Sequence, residues 1–360
     1  MNSSRPGPLG SNETHLLSPA DNVGAMQSLL VPLALAAVAV GVIWKGSEYF
    51  EGAARKLSKY YGLPVAVHGA IVVAVGSSFP EVSSVVISTV VHGEFSLGVG
   101  AIVGSAIFNL LVIPAFSALA SEELGSTRSL VHKDAQFYVI SVLVLFIVFA
   151  LGATYVPGGT NRAAILTPPL AVLPLATYAV YIFLHQQDAS EKPVRRVRDI
   201  RPARQWATLA VALVVIAVGV EGLIRAALSL RDAFGTSSFL WGLTVIAAGT
   251  SLPDAFVSVR AARADDSVTS LTNVLGSNTF NLLVAIPLGV LLAGSATINF
   301  LAAIPTMGFL AFATIVFIVF LRTDLELTDR EAYGFLALYG LFLLWMTLES
   351  TGVIETVRGI

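Results

Sequence analysis

Ten long stretches of apolar residues divide the chain, and nearly all of them lack charged side chains. A helix needs roughly 20 apolar residues to cross the hydrocarbon core of a membrane, and each stretch is about that long. The pattern therefore predicts an all-α polytopic membrane protein with about ten transmembrane helices. The predicted spans are 26–44, 65–91, 95–120, 137–156, 165–184, 205–224, 238–259, 267–292, 298–321 and 332–348.

Lysine and arginine are unevenly distributed over the loops that this layout creates. If the loop between the fifth and sixth spans is cytoplasmic, sixteen basic residues lie on its side and five on the other. Cytoplasmic loops carry the excess of basic residues, so both termini are predicted to be outside. The sixteen are Lys45, Arg55, Lys56, Lys59, Arg128, Lys133, Lys192, Arg195, Arg196, Arg198, Arg201, Arg204, Arg260, Arg263, Arg322 and Arg330. The five are Arg5, Arg162, Arg225, Arg231 and Arg358.

Two short motifs occur twice at nearly the same spacing. AVGSSFPE at 74–81 returns as AAGTSLPD at 247–254, and GSAIFN at 104–109 returns as GSNTFN at 276–281. The offsets are 173 and 172 residues, which indicates one duplicated unit. Because each unit holds five spans, the two copies enter the membrane in opposite directions, as in the inverted repeats of secondary transporters.

This duplication predicts the domain organisation. Residues 1–25 form a flexible polar tail, 26–185 the first repeat, 186–204 a basic cytoplasmic linker and 205–360 the second repeat.

Composition agrees with a membrane protein and excludes several functional classes. The chain is 55% hydrophobic and 12% charged, whereas soluble domains carry about 25% charged residues. A net charge of −2 gives no reason to expect a nucleic-acid partner. The absence of cysteine excludes thiolate catalysis and zinc–thiolate sites. Metalloprotease and serine-hydrolase motifs are also absent from the sequence, so the chain is not predicted to be an enzyme.

The repeated motifs contain the carboxylates that lie near the middle of otherwise uncharged spans, Glu81 and Asp254. An ionised acid at that depth costs a few kcal/mol or more, which makes it a candidate functional group. A protonated acid that bonds a neighbouring helix is the simplest structural alternative. Duplication of the acid within a duplicated motif favours a cation site instead.

Prolines and small polar residues accompany both acids. Pro80 and Pro253 remove an N–H and so loosen the carbonyls one turn earlier, near Gly76 and Gly249. Helical spacing places further oxygens on the same faces as the acids, or in the partner helices. These residues are Ser77, Ser78, Thr250, Ser251, Ser105, Asn109, Ser277 and Asn281.

Small residues also predict close approach of these helices. Gly100 and Gly104 are spaced by four residues, and Thr272 and Gly276 occupy the equivalent positions in the second repeat.

The predicted ligand set consists of hard oxygen atoms. Calcium binds six to eight oxygens in flexible geometry, whereas transition metals prefer nitrogen or sulfur. Two carboxylates neutralise one divalent ion or two monovalent ions, so calcium and sodium could compete for the same site. Such competition is the physical basis of antiport.

These motifs resemble those of the cation/calcium exchanger superfamily, whose alpha repeats carry G-[ST]-S-x-P-[ED] followed by G-S-x-x-x-[ND]. The resemblance implies a central calcium site formed by Glu81, Asp254 and the backbone at Ser77 and Thr250. It implies one flanking sodium site at Ser105, Ser251 and the Ala247 carbonyl, and another at Ser78, Ser277 and the Ala74 carbonyl. Asn109 and Asn281 match the polar pair near the centre.

The resemblance is strongest to the sodium/calcium branch. Potassium-dependent members typically have aspartate at the position of Asn281, and proton-coupled members typically lack the S-x-P segment that this chain has. The implied partners are calcium and sodium ions and the lipid bilayer, without a cofactor or an evident protein partner. The implied location is the cell membrane. Cation/proton antiport at the same carboxylates and a passive channel are the alternatives that remain open.

Overall fold

The computed structural model describes residues 19–62, 74–121, 124–127, 130, 133–156, 163–188, 199–323 and 325–350. Thirteen α-helices, two π-helical turns and four short strands lie within these residues. The helices before the second repeat are α1 (Pro19–Tyr61), α2 (Ala74–Ser77), α3 (Phe79–Val90), α4 (Phe95–Ala120), α5 (Asp134–Thr154) and α6 (Pro168–Asp188). The others are α7 (Pro202–Phe234), α8 (Ser238–Trp241), α9 (Ala247–Ala262), α10 (Ser267–Phe280), α11 (Ile286–Ala293), α12 (Phe300–Thr323) and α13 (Asp329–Ser350).

Nine helical segments of the described chain are long and apolar enough to cross a membrane. They correspond to nine of the ten predicted spans. The remaining prediction, 65–91, is described from residue 74 as α2 and the apolar α3, and its first part lies outside the described residues. The structure thus confirms an all-α membrane protein.

Helix boundaries correct the sequence prediction at two places. Residues 19–25, which were assigned to the polar tail, form the first turns of α1, where the fixed φ angle of Pro19 suits the start of a helix. The fifth span, predicted from residue 165, begins as α6 at Pro168, because residues 163–166 form a strand. Residues 1–18 of the tail and 189–198 of the linker lie outside the described residues.

Two antiparallel strand pairs reveal the inverted duplication. Strand β1 (Leu124–Gly125), after the third span, pairs with β4 (Glu326–Leu327), after the ninth. Strand β2 (Ala163–Leu166), after the fourth span, pairs with β3 (Ala296–Asn299), after the eighth. Two loops can pair only on the same side of a membrane, and the ten-span layout places each of these pairs on one side. The equivalents of β1 and β4 in the opposite repeat are β3 and β2, as two inverted copies require.

We call the membrane side that carries residues 199–204, Arg260, Arg263, Arg322 and Arg330 the basic face. It is also the side of the β1–β4 pair. The side of the β2–β3 pair is the opposite face.

The α4 helix forms the centre of the molecule. In its most apolar stretch 94% of the residues are buried, compared with 22% in α1 and in α13. Helices α3, α9, α10, α12 and α13 pack around it, whereas α1 and α7 pack mainly against each other. The repeated motifs of α3, α4, α9 and α10 therefore meet at the centre of the protein.

Candidate functional site

Both motif carboxylates lie at this centre and are fully buried. Glu81 is in the first turn of α3 and Asp254 is on α9, and the exposed fraction of each is 0%. They are linked through Ser105, which bonds both Glu81 and Ser251 of the Asp254 motif. The structure therefore places together the two acids, one from each repeat, that the sequence predicted to meet.

The backbone before each acid is irregular, but in different ways. In the first repeat the helix is interrupted at Ser78, and Pro80 lies in the first turn of α3. In the second repeat α9 continues through Pro253, and a π-helical turn, Gly242–Ile246, immediately precedes Ala247. The wider π turn commonly marks functional sites. The predicted loosening of the backbone before the proline is therefore seen at Ser78 in the first repeat, whereas the helix runs unbroken through Gly249 in the second.

A chain of hydroxyl groups connects Glu81 to the second repeat. Ser105 on α4 donates a hydrogen bond to Glu81 Oε1 at 3.4 Å, and Ser251 on α9 donates to Ser105 Oγ at 2.8 Å. The Thr250 hydroxyl also interacts with Glu81, while it donates to the Ile246 and Ala247 carbonyls. Oxygens from both repeats therefore surround Glu81.

Asp254 has the mirrored environment. The hydroxyls of Ser77 and Ser277 interact with its carboxylate, and their oxygens lie 3.2 Å apart. The Asn109 amide donates to Asp254 Oδ2 at 3.5 Å. Ser77 is thus the observed hydrogen-bond partner of Ser277, whereas the resemblance had grouped Ser277 with Ser78.

Several oxygen atoms of the site have no hydrogen-bond partner among the described residues. They belong to both acids and to residues that flank them, and each is fully buried. A buried unsatisfied polar atom costs about 1–3 kcal/mol, so a cluster of several is a place where water or an ion can bind. The atoms are Glu81 Oε2, Asp254 Oδ1, Asn109 Oδ1, Ser78 Oγ and Asn281 Oδ1, and the Asn281 amide nitrogen is also unpaired.

Asn278 was not selected from the sequence, yet it lies inside the site. Its Oδ1 accepts from Asn109 at 3.0 Å and its Nδ2 donates to the Ala106 carbonyl at 3.1 Å. The equivalent residue of the first repeat is Ala106 itself, so no repeated letter drew attention to Asn278. An amide in the middle of an apolar span was the available signal.

The site also depends on the close crossing of α4 with the segment before α9. A Cβ atom at Gly104 would overlap the Leu243 carbonyl oxygen and lie 2.7 Å from the Ala247 side chain. Gly100 and Gly242 are in equally tight contact with carbonyl oxygens of Phe239 and Leu97. The predicted small-residue contact is therefore present in the first repeat. At Gly276 the nearest atom would be Tyr181 Oη at 3.8 Å, so its counterpart is loosely packed.

The predicted ligand residues fall into two groups. Glu81, Asp254 and the side chains of Ser77, Ser105, Asn109, Thr250, Ser251 and Ser277 share contacts with one another. Ser78 and Asn281 are buried on the same motifs without a side-chain hydrogen-bond partner in the described chain. Ala74 and Ala247 are the first residues of α2 and α9, and their carbonyls stay predicted ligands.

Comparison with known proteins identifies the family. The model of the "Sodium/calcium exchanger protein" family matches residues 31–185 and 204–348, which are the two repeats. The chain belongs to this family. Its members are exchangers, so the protein is an integral membrane transporter for cation/calcium exchange.

Individual relatives agree over most of their length. The chain is 28% identical to the "Inner membrane protein YrbG" of Escherichia coli over 73% of this chain and 81% of that one. It is 24% identical to the "Sodium/calcium exchanger MaX1" of Methanosarcina acetivorans, over 83% and 93%. A solved structure of the sodium-calcium exchanger NCX_Mj covers 88% of this exchanger and 98% of its own chain, with a TM-score of 0.61 and 20% identity. At that identity the structural likeness establishes the fold.

Proposed function

We propose that this exchanger moves sodium against calcium by alternating access, with inward sodium movement driving calcium out of the cell. Glu81 and Asp254 bind the transported ions in turn. The observation that carries the proposal is their arrangement: one fully buried carboxylate from each inverted repeat, enclosed by hydroxyl and amide groups of both repeats.

Charge balance explains why two different ions use one site. Among the described residues no lysine or arginine side chain is buried, so the two carboxylates lack an internal counter-charge. One Ca²⁺ or two Na⁺ neutralise them equally. The neutral oxygens of Ser77, Thr250, Ser105 and Ser277 supply further ligands of the hard type that both ions accept. No cofactor is needed, because the sodium gradient supplies the energy.

Orientation follows from the basic face. We assign it to the cytoplasm because basic loops are retained on that side during insertion. The termini then lie outside, and the membrane is the cell membrane. Sodium bound from the opposite face and calcium bound from the basic face would reach the same carboxylates when the two repeats rock past each other.

Transport in vesicles tests this proposal. Purified protein in proteoliposomes should accumulate ⁴⁵Ca²⁺ when sodium is loaded inside, with no pH gradient and with potassium absent. Glu81→Gln and Asp254→Asn remove one negative charge each and should abolish this uptake. Glu48→Gln is the matched control, because Glu48 is an exposed acid that pairs only locally with Lys45. Its uptake should equal that of the unaltered protein.

Two outcomes would contradict the proposal in different ways. Retained uptake in both acid variants would exclude the carboxylates as the ion site. Uptake that follows a pH gradient and ignores sodium would assign cation/proton antiport to the same carboxylates instead.

A further inference from the structure

A line of buried polar side chains runs from the carboxylate site toward the basic face. One turn beyond Asp254 on α9 lies Ser258, and one turn before Ser277 on α10 lies Asn273. The Asn273 amide donates to Ser258 Oγ at 3.0 Å. At 1.5 Å per residue these two lie roughly 6 Å from the acid along the helix axis.

The line continues one step further outward. Ser270 on α10 donates to Ser117 on α4 at 3.2 Å, and both side chains are buried. Ser117 is eight residues beyond Asn109, or roughly 12 Å along α4. Two buried hydrogen-bonded pairs, Asn273–Ser258 and Ser270–Ser117, therefore lie between the site and the end of the helices on the basic face.

The equivalent positions in the other half of the molecule are apolar and tightly filled. By the offsets of 173 and 172 residues, Ser258 corresponds to Val85, Asn273 to Ala101, Ser270 to Gly98 and Ser117 to Gly289. Val85 and Ser88 fill this region: a Cβ at Gly289 would lie 2.6 Å from Val85 Cγ1, and one at Gly98 would lie 2.6 Å from Ser88 Oγ and 2.8 Å from Val85 Cα.

Between the site and the opposite face, the buried hydroxyl groups do not form a comparable line. Ser84 and Ser88 on α3 donate to the Glu81 and Val85 carbonyls of their own helix. Thr89 lies beyond them, near the end of α3, and its Oγ1 is buried without a hydrogen-bond partner in the described chain, but no amide or second hydroxyl bonds it as Asn273 bonds Ser258. The region between the site and the basic face therefore differs in chemistry from the equivalent region on the opposite side.

One atom of the line points to a ligand. Asn273 is 8% exposed, and its Oδ1 has no hydrogen-bond partner in the described part of the chain. Leaving a buried carbonyl oxygen unpaired costs about 1–3 kcal/mol, and the nearby Ser258 hydroxyl adds a second oxygen. Both groups are neutral, so they can offset the free-energy cost of dehydrating a monovalent ion better than that of a divalent ion.

We propose that Asn273 and Ser258, with Ser270 and Ser117 one step further out, form a second cation subsite on the basic face of the exchanger. Its ligand is a partly dehydrated monovalent cation, Na⁺ under transport conditions, which pauses there between the cytoplasm and the carboxylates. The inference rests on the proposed sodium/calcium exchange. It predicts different sodium affinities at the two faces.

Vesicles of opposite orientation test the subsite. Membrane vesicles of both orientations are loaded with ⁴⁵Ca²⁺, and its release is measured after sodium is added outside. In right-side-out vesicles sodium reaches the opposite face, and in everted vesicles it reaches the basic face. Asn273→Ala removes one neutral ligand, and the half-saturating sodium concentration should rise about five-fold in everted vesicles. It should not change in right-side-out vesicles, and half-saturation by calcium should be unaltered at both faces.

Two further variants complete the design. Asn273→Asp keeps the side-chain shape and adds a charge, so it should lower the half-saturating sodium concentration at the basic face even if Asn273→Ala fails to fold. Ser88→Ala is the control, because Ser88 is a buried hydroxyl seven residues beyond Glu81 toward the opposite face and it bonds the Val85 carbonyl of its own helix. It should shift neither face.

An equal shift at both faces, or no shift in either Asn273 variant, would overturn the subsite and leave the line as packing between helices. Absence of sodium-driven calcium release from the unaltered protein in both vesicle types would instead refute the proposed exchange.

Discussion

Replacing Gly104 with alanine tests whether the site depends on the close crossing of α4 with the π-helical turn before Ala247. The added Cβ would overlap the Leu243 carbonyl oxygen and lie 2.7 Å from Ala247 Cβ. Carbon atoms in contact prefer about 3.5–4.0 Å, so the two segments must separate by about 1 Å. Overpacking of this kind costs about 1–3 kcal/mol, and a backbone oxygen cannot rotate away. Alanine regains up to about 1 kcal/mol of helix propensity. We expect a net loss of about 2 kcal/mol.

Gly276→Ala is the control that the duplication supplies. It changes the equivalent residue of the second repeat, where the nearest atom would be Tyr181 Oη at 3.8 Å, an ordinary contact. Only the higher helix propensity of alanine then affects stability, which should stay the same or rise by up to about 1 kcal/mol.

Thermal unfolding in detergent, followed by tryptophan fluorescence, separates the two variants. At about 2–4 °C per kcal/mol, Gly104→Ala should lower Tm by about 4–8 °C, whereas Gly276→Ala should not lower it. Equal Tm values for the two variants would refute the reasoning, because sequence motif and helix propensity are the same at both positions.

Two further predictions concern polar contacts. Asn278→Ala leaves Asn109 and the Ala106 carbonyl without their partner. It should lower stability by about 2–3 kcal/mol, measured as Tm, and raise the half-saturating calcium concentration because Asn109 is no longer held in place. Unchanged values of both would exclude a bridging role for Asn278. Glu94→Gln breaks the partly exposed Arg231–Glu94 ion pair and should change stability by less than about 1 kcal/mol. The measurement compares Tm at low and high choline chloride concentration. A loss above 3 kcal/mol would show that this ion pair is not an ordinary surface contact.

The fold and the centre of the site were accessible from the sequence for definite reasons. A membrane allows few backbone arrangements, so the length of an apolar stretch predicts a helix almost regardless of its detailed composition. The carboxylates stood out because an acid in hydrocarbon is costly, and duplication showed that Glu81 and Asp254 had equivalent positions. In the structure both are fully buried and are linked through Ser105 and Ser251.

Features that depend on differences between the repeats could not be predicted in this way. Asn278 faces Ala106, and Asn273 corresponds to Ala101, so a search for repeated letters passes over both. Ser77 pairs with Ser277, whereas Ser105 bonds Ser251, the equivalent of Ser78. The break at Ser78 likewise has no equivalent in the continuous α9. The π turn depends on carbonyl positions rather than on residue types.

The asymmetry has a consequence for how an inverted repeat transports. If the two repeats were identical, the state open to one face would have the same free energy as the state open to the other. An ion would then bind equally well from either face. Here Asn109 bonds Asp254 while Asn281, its equivalent, has no recorded side-chain partner near Glu81. Beyond the acids, Asn273 and Ser258 bond each other between helices on the basic face, whereas the other side holds Val85 and hydroxyls that bond their own helix. Because a ligand shifts a two-state equilibrium only by its differential affinity for the two states, such differences give each ion a preferred face. Under the proposed exchange, the duplicated frame supplies the two states, and the residues that differ between the repeats set the preference between them.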